Sequence, residues 1–129
     1  MKVLLVSPDP ESRRTMALAV GGIRRALGAA SIETLEASDG EEGIAIARRA
    51  SPDVIVADEI ASRAGAFALA HDLRNRVEPF PGVIVILLAR PHDAWLARWS
   101  GADAWFDRPV DPFALADRVV ELTRTKEIA

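Results

Sequence analysis

The 129-residue chain contains no cysteine and only two histidines, His71 and His92. Disulfides, thiolate metal sites and cysteine nucleophiles are therefore excluded, and a multi-histidine zinc site is excluded with them. Long apolar runs are missing as well. The first hydrophobic stretch, Val3–Val6, breaks at Ser7-Pro8. It is too short for a signal-peptide core and far short of the roughly 20 residues a membrane span needs, so no membrane contact is expected and a cytoplasmic location is. Excess positive charge is absent too. The formal net charge is −3, which argues against affinity built on neutralising nucleic-acid phosphates. What the chain does have is apolar material, 50% hydrophobic against 27% charged residues, a balance that supports a packed core rather than disorder. One domain is expected over residues 1–125, with a polar tail at 126–129 and no output domain.

Three short apolar runs stand out: Val3–Val6, Val54–Ala57 and Val83–Leu88. They are rich in valine and isoleucine, too short for helices, and bounded by Pro, Asp or Arg. Such runs fit strands buried on both faces of a parallel sheet. Ile32–Ala37 reads as a half-exposed edge strand and Ala104–Phe106 as a fifth. Helical patterns fill the gaps. The first spans Pro10–Leu27, with Met16, Val20, Ile23 and Leu27 on one face, Asp9 as N-cap and Gly28 as the stop. The second opens at Asp39-Gly40-Glu41-Glu42, where Glu42 is placed for a capping box, and ends near Ala50. A third covers about Ala64–Val77, with Phe67, Ala70, Leu73 and Val77 facing inward. A fourth spans His92–Trp99. The fifth opens with Asp111-Pro112 and runs to about Arg124. Strand and helix alternate five times, which predicts an α/β doubly wound parallel sheet with helices on both sides. In such sheets ligands bind beyond the carboxyl ends of the strands. The stretches to examine are Ser7-Pro8-Asp9, Asp58-Glu59-Ile60, Leu88-Ala89-Arg90 and Asp107-Arg108-Pro109.

These stretches and their neighbours carry a resemblance. Glu36-Ala37-Ser38-Asp39-Gly40-Glu41-Glu42-Gly43, Ser51-Pro52-Asp53-Val54-Ile55-Val56-Ala57-Asp58, Gly101-Ala102-Asp103-Ala104-Trp105 and Arg108-Pro109-Val110-Asp111-Pro112 occur in order and at the right spacing. Together they resemble the CheY-like receiver domain of bacterial two-component response regulators, over nearly all of the chain. The resemblance implies a flavodoxin-like (βα)5 three-layer sandwich with strand order 2-1-3-4-5. It places Asp58 at the phosphoacceptor position.

The resemblance also implies what a working receiver needs at the neighbouring positions. A carboxylate that attacks a phosphoryl anion needs Mg²⁺ to neutralise the charge gathering in the transition state, and Mg²⁺ wants oxygen ligands in octahedral geometry. The family's two adjacent acids align here with Ser7 and Pro8. Its phosphoryl-binding hydroxyl aligns with Leu88, and its lysine with Arg108, followed by Pro109. Loss of one transition-state donor alone costs roughly 10²–10³ in rate. The expectation is an atypical pseudo-receiver. Mg²⁺ binding is weak or absent, Mg-dependent phosphorylation is lost or impaired, and function runs through protein–protein contact. Asp58 reads as a buried carboxylate paired permanently with Arg108, with Leu88 beside the pair to exclude water. The alternative is a phosphorelay receiver that still accepts a phosphoryl group at Asp58.

Asp9 has two readings, a displaced metal ligand aided by Glu59 or a plain helix cap, and the neighbouring Pro10 favours the cap. His71 and His92 read as surface or loop residues, and no nucleophile–base pair or metal set points to an enzyme. The three tryptophans fall within eleven residues. Trp95 and Trp99 share a helix face, and Trp105 resembles the family's switch aromatic. With Arg98 and Arg90 nearby, they predict an interaction surface on the fourth helix, fifth strand and fifth helix, for a partner protein or a second copy in a homodimer. Flavodoxin-type, dinucleotide and cobalamin modules are disfavoured. The loop Ser7-Pro8-Asp9-Pro10 supplies neither a phosphate loop nor Gly-x-Gly-x-x-Gly, and no Asp-x-His-x-x-Gly run is present.

Overall fold

The computed structural model describes residues 1–28, 31–59 and 65–128, with side chains described as far as Lys126. The elements run β1 (Lys2–Val6), α1 (Pro10–Leu27), β2 (Glu33–Ala37), α2 (Gly40–Ala50), β3 (Val54–Asp58), α3 (Ala66–Arg74), β4 (Val83–Leu88), a 3-10 turn (Pro91–Asp93), α4 (Ala94–Ser100), β5 (Ala104–Asp107) and α5 (Pro112–Ile128). All strand pairings are parallel and the sheet order is β2-β1-β3-β4-β5. This is the doubly wound parallel sheet that the alternation of runs predicts, in the flavodoxin-like strand order that the family resemblance implies.

The apolar runs become strands because helices cover both faces. Every residue of β3 and β4 is buried, whereas β2 at the edge keeps three of its five residues exposed. Successive strand residues point to opposite faces, so two cores form. Val3, Leu5, Val56, Val85 and Leu87 meet Met16, Val20 and Ile23 of α1 and Leu115 and Val119 of α5. Leu4, Val6, Ile55, Ala57, Ile86 and Leu88 meet Ala47 of α2, Leu69 and Leu73 of α3 and Ala97 of α4.

The caps follow the local sequence. Asp9 caps α1 by accepting from the Glu11 N–H, and Gly28 closes that helix in the left-handed region at φ 61°. Asp39 accepts from the Glu42 N–H at 2.9 Å. That is half of a capping box; a reciprocal bond from the Glu42 side chain is absent among the described residues. Phe113 N–H bonds Asp111 Oδ1 at 2.9 Å at the start of α5.

Three expectations are corrected. The third helix stops at Arg74, and Val77 is fully exposed rather than inward. Pro79 disfavours helical geometry just before it, and the Phe80 N–H turns back to the Leu73 carbonyl at 2.9 Å. Ala64, the expected start of that helix, lies outside the described residues. The fourth helix begins at Ala94, with His92 in the 3-10 turn before it. The stretch expected as a polar tail continues α5 as far as Ile128.

The amino ends of β4 and β5 are tied by one side chain. Arg74 donates to the carbonyls of Gly101 (2.9 Å), Phe80 (2.7 Å) and Gly82 (2.9 Å) and to Asp103 Oδ2 (2.7 Å). Asp103 Oδ2 also accepts from the Ile84 N–H at 2.8 Å. Gly101, at φ 91°, leaves the space this needs, since a Cβ there would stand 2.7 Å from Arg74 Cγ. Removing the fork leaves four acceptors short of a partner in a half-buried site. Arg74→Ala should therefore cost about 2–4 kcal/mol, read as a lower urea midpoint. Arg74→Lys should recover little, because an ammonium cannot reproduce a planar fork. A loss below about 0.5 kcal/mol would remove the fork from this role.

Candidate functional site

The site is built where β1, β3 and β5 end. Ser7 follows β1 and is fully buried. Its Oγ donates to Asp58 Oδ2 at 3.2 Å and accepts from the Asp9 N–H at 3.1 Å. Pro8, next in the chain, faces solvent. The Asp58 side chain has no exposed surface. Its second oxygen, Oδ1, makes no hydrogen bond among the described residues, but the Arg108 guanidinium stands 3.6 Å away through Nε. The same guanidinium donates through one terminal nitrogen to Ser12 Oγ at 2.9 Å and to Asp9 Oδ2 at 3.4 Å. Arg108 thus lies between two carboxylates, one buried and one half-buried, and it keeps a part of its surface in water. The peptide it forms with Pro109 is cis.

Asp9 therefore combines two functions. It caps α1 as its sequence context predicts, and its other oxygen also meets Arg108. Glu59 is not its helper. The Glu59 carboxylate accepts the Phe67 N–H at 3.1 Å in the first turn of α3. Burial pushes its pKa above the ordinary carboxylate value, and the negative charges of Asp93 and Asp58 add to that rise. Hydrogen bonds from the Phe67 and Ala66 backbone oppose it. Ile60 lies outside the described residues.

Leu88 does not sit where the sequence reading puts it. Its carbonyl accepts the Arg108 N–H at 3.2 Å, but its side chain packs into the core under α2, α3 and α4. Alternation along β4 is the reason. Leu87 is the register partner of Asp58 and so shares its face, and Leu87 lines the small cavity next to Arg108 with Asp9 and Ser12. Among the described residues no three His, Cys, Asp or Glu side chains gather so as to hold a metal ion.

The aromatic surface is divided rather than continuous. Trp95 and Trp99 are both exposed on α4. The Trp99 ring, however, stacks on His71 of α3, with centroids 4.2 Å apart and planes at 8°. Trp105 is partly buried against the core, with the Arg98 guanidinium 5.8 Å from its ring centroid. Arg90 is exposed and pairs with Asp93 at 3.3 Å. His71 is half-buried, in keeping with the boundary place expected for it, but sequence reading missed its stack on Trp99 and the exposed Phe113 of α5; pairing between helices leaves no periodic signal in one chain.

No protein-family model matches the chain. Two uncharacterized response regulatory proteins, from two strains of Mycobacterium tuberculosis, are each 30% identical to it over 124 residues, covering 96% of this chain and 92% of theirs. The chain belongs to the response-regulator family. The alkaline phosphatase synthesis transcriptional regulatory protein PhoP of Bacillus subtilis is 29% identical over 128 residues, with 99% of this chain aligned to 51% of that longer protein. Among solved structures, a response regulator from Chloroflexus aurantiacus superposes with a TM-score of 0.80 at 20% identity, covering 95% of this chain and 97% of its own. A CheY-like receiver domain protein from Methanospirillum hungatei gives 0.78 at 16% identity, covering 98% and 96%. These share the fold. As a member of the family shown by its sequence relatives, the receiver is a signal-transduction domain that works through protein contacts. No helix among its described residues is long and apolar enough to cross a membrane.

The receiver's Asp58 is sealed from water, and among the described residues Arg108 is the cation nearest to it. Arg108→Ala should cost about 1–3 kcal/mol, less than for a wholly buried pair because the guanidinium keeps some hydration. Asp58→Asn in the same background should restore much of the loss. A double-mutant cycle on urea midpoints reads the coupling, and a coupling near zero would show that the two groups do not support each other.

Proposed function

We propose that this receiver is a pseudo-receiver: it signals by protein contact, without Mg²⁺-dependent phosphorylation of Asp58. The observation that carries this reading is the Arg108 guanidinium, held between Asp58, Asp9 and Ser12. It supplies from inside the chain the positive charge that a receiver otherwise takes from a metal ion.

The donor set does not fit Mg²⁺. A hexacoordinate ion needs several oxygens free to turn toward it. Ser7 Oγ is engaged with Asp58 and the Asp9 N–H, and Pro8 has no side-chain oxygen. Asp9 is occupied by its helix cap and by Arg108. One unit of like charge at about 4 Å costs on the order of 4 kcal/mol near a protein surface, and a dication doubles that. A nucleophile also needs access to its donor, and the Asp58 side chain has none. At the Leu88 position an apolar side chain turned to the opposite core offers a phosphoryl oxygen nothing to bond.

The output surface in this reading is α4, β5 and α5, where Trp95, Trp99 and Phe113 are exposed and Arg98 lies over Trp105. Aromatic and arginine side chains are those most enriched at interface hot spots. The partner is another protein or a second copy of this chain.

Incubation with acetyl phosphate or phosphoramidate in the presence of Mg²⁺, followed by intact mass measurement, tests the silent Asp58. No gain of a phosphoryl group is expected. A stoichiometric gain that Asp58→Asn abolishes would instead establish a working phosphorelay receiver. Joint substitution of Trp95 and Trp99 by alanine should weaken self-association or partner capture by at least about tenfold while the urea midpoint stays unchanged. Association indifferent to both changes would move the output surface elsewhere.

A further inference from the structure

Two large apolar side chains stand exposed on neighbouring helices. Leu18 of α1 is 63% exposed and Phe113 of α5 is 70% exposed. A lone apolar residue on a surface needs no explanation, so the question is whether these two stand together. Both helices cover the same face of the sheet, and both return from the carboxyl end of a parallel strand, so they run in the same direction. A Cβ on Gly22 would stand 3.0 Å from Ala116 Cβ, and Arg124 donates to the Ala26 carbonyl at 3.4 Å. Gly22 is therefore level with Ala116. One turn back along each helix, Leu18 is level with Phe113. Phe113 also shares a stripe, at three- and four-residue spacing, with Ala116, Val120 and Arg124, the side of α5 that meets α1. The two exposed side chains border one seam at one height.

Each has a charge without a partner one turn away. Arg14 precedes Leu18 by a turn, Asp117 follows Phe113 by a turn, and both are exposed. Neither enters an ion pair among the described residues. Within one copy they cannot meet, because two turns of helix, about 11 Å, separate their levels. A twofold axis through the level of Leu18 and Phe113 reverses the helix direction in a second copy. Leu18 then comes level with Phe113 of the second copy, and Arg14 with its Asp117. Twofold symmetry makes each of these contacts twice. Glu11, two turns before Leu18, falls opposite Arg118 and Glu121, which already neutralise each other at 2.7 Å. Arg25, two turns after Leu18, falls beyond the first turn of the opposed α5, which starts at Pro112.

We propose that a second copy of this chain docks on this seam, α1 of each copy against α5 of the other. Two helices a side make a contact at or below the roughly 1,200–2,000 Å² of stable complexes, so the dimer is a transient one with a micromolar Kd. The pairing does not involve Asp58 and stands apart from the pseudo-receiver reading. It also leaves Trp95 and Trp99 of α4 uncovered, so the output tryptophans stay available to a different protein.

Sedimentation velocity of the full chain over a concentration series, up to about 500 µM, is the direct test. A reversible dimer with a Kd of about 1–200 µM is expected. Arg14→Glu and Asp117→Arg should each weaken it at least about tenfold, because each puts like charges opposite one another at two places. The two changes together should return the Kd to within about threefold of the parent. Leu18→Ser should weaken it by at least about tenfold as well. These positions are exposed, so urea midpoints should stay near that of the parent; if one single variant misfolds, the other and Leu18→Ser carry the test. Joint replacement of Trp95 and Trp99 by alanine should leave the Kd unchanged. A chain that stays monomeric throughout, a double variant that is not rescued, or single variants that dimerise as the parent does would overturn the seam. So would a dimer that only the tryptophan variant weakens, which would place the second copy on the aromatic surface.

Discussion

A carboxylate without access to water must have a cation close by, and in this receiver the cation is part of the chain. Asp58 stands at the end of the central strand β3, where its side chain is wholly enclosed. Burying such a charge alone is prohibitive, and only close pairing with hydrogen bonds makes it tolerable. Ser7 supplies the hydrogen bond from β1 and Arg108 the charge from the end of β5. By also holding Asp9 and Ser12, the guanidinium ties the start of α1 to the same point. Two strand ends, of β3 and β5, and a helix start are thus bound through one side chain, and Ser7 joins β1 to them through Asp58. A cation on a covalent tether does not come and go as a metal ion does, which is the physical basis for reading the pocket as locked.

The other end of the sheet is held by a second arginine of the same kind. Arg74 gathers three carbonyls and Asp103 where β4 and β5 begin. Both jobs need a planar group with several donors at set angles, which guanidinium has and ammonium lacks. The Gly-Ala-Asp segment gains a physical meaning here. Gly101 makes room for the aliphatic part of Arg74, and Asp103 receives both the guanidinium and the Ile84 N–H. Lys126 of α5 joins this second arginine site through Asp103.

Much of the fold was legible because its signals are local. Val83–Leu88 reads as a buried strand from its apolar run alone, and α1 is bounded by Asp9-Pro10 and Gly28. The Asp58–Arg108 pair was legible by a different route, since a family position changed from lysine to arginine next to an acid pair changed to Ser7 and Pro8. The failures share a cause. Val77 continues an apolar spacing, yet the chain leaves the helix because Pro79 follows and Arg74 is drawn to the carbonyls beyond. Leu88 follows the run of β4, yet alternation sends it to the opposite core from Asp58 and leaves Leu87 at the site. Trp95 and Trp99 are four residues apart, yet one of them leans on His71 of another helix.

The sequence by itself determined the five βα units and the caps of α1 at Asp9 and Gly28. Each depends on residue type and spacing over one or two turns of chain. Tertiary structure alone decided which face each strand-end side chain takes, and that Arg108 reaches Asp9 and Ser12 as well as Asp58. It alone decided that Arg74 joins segments nearly thirty residues apart. Those outcomes depend on contacts between elements distant along the chain, and a linear pattern has no term for the distance between them.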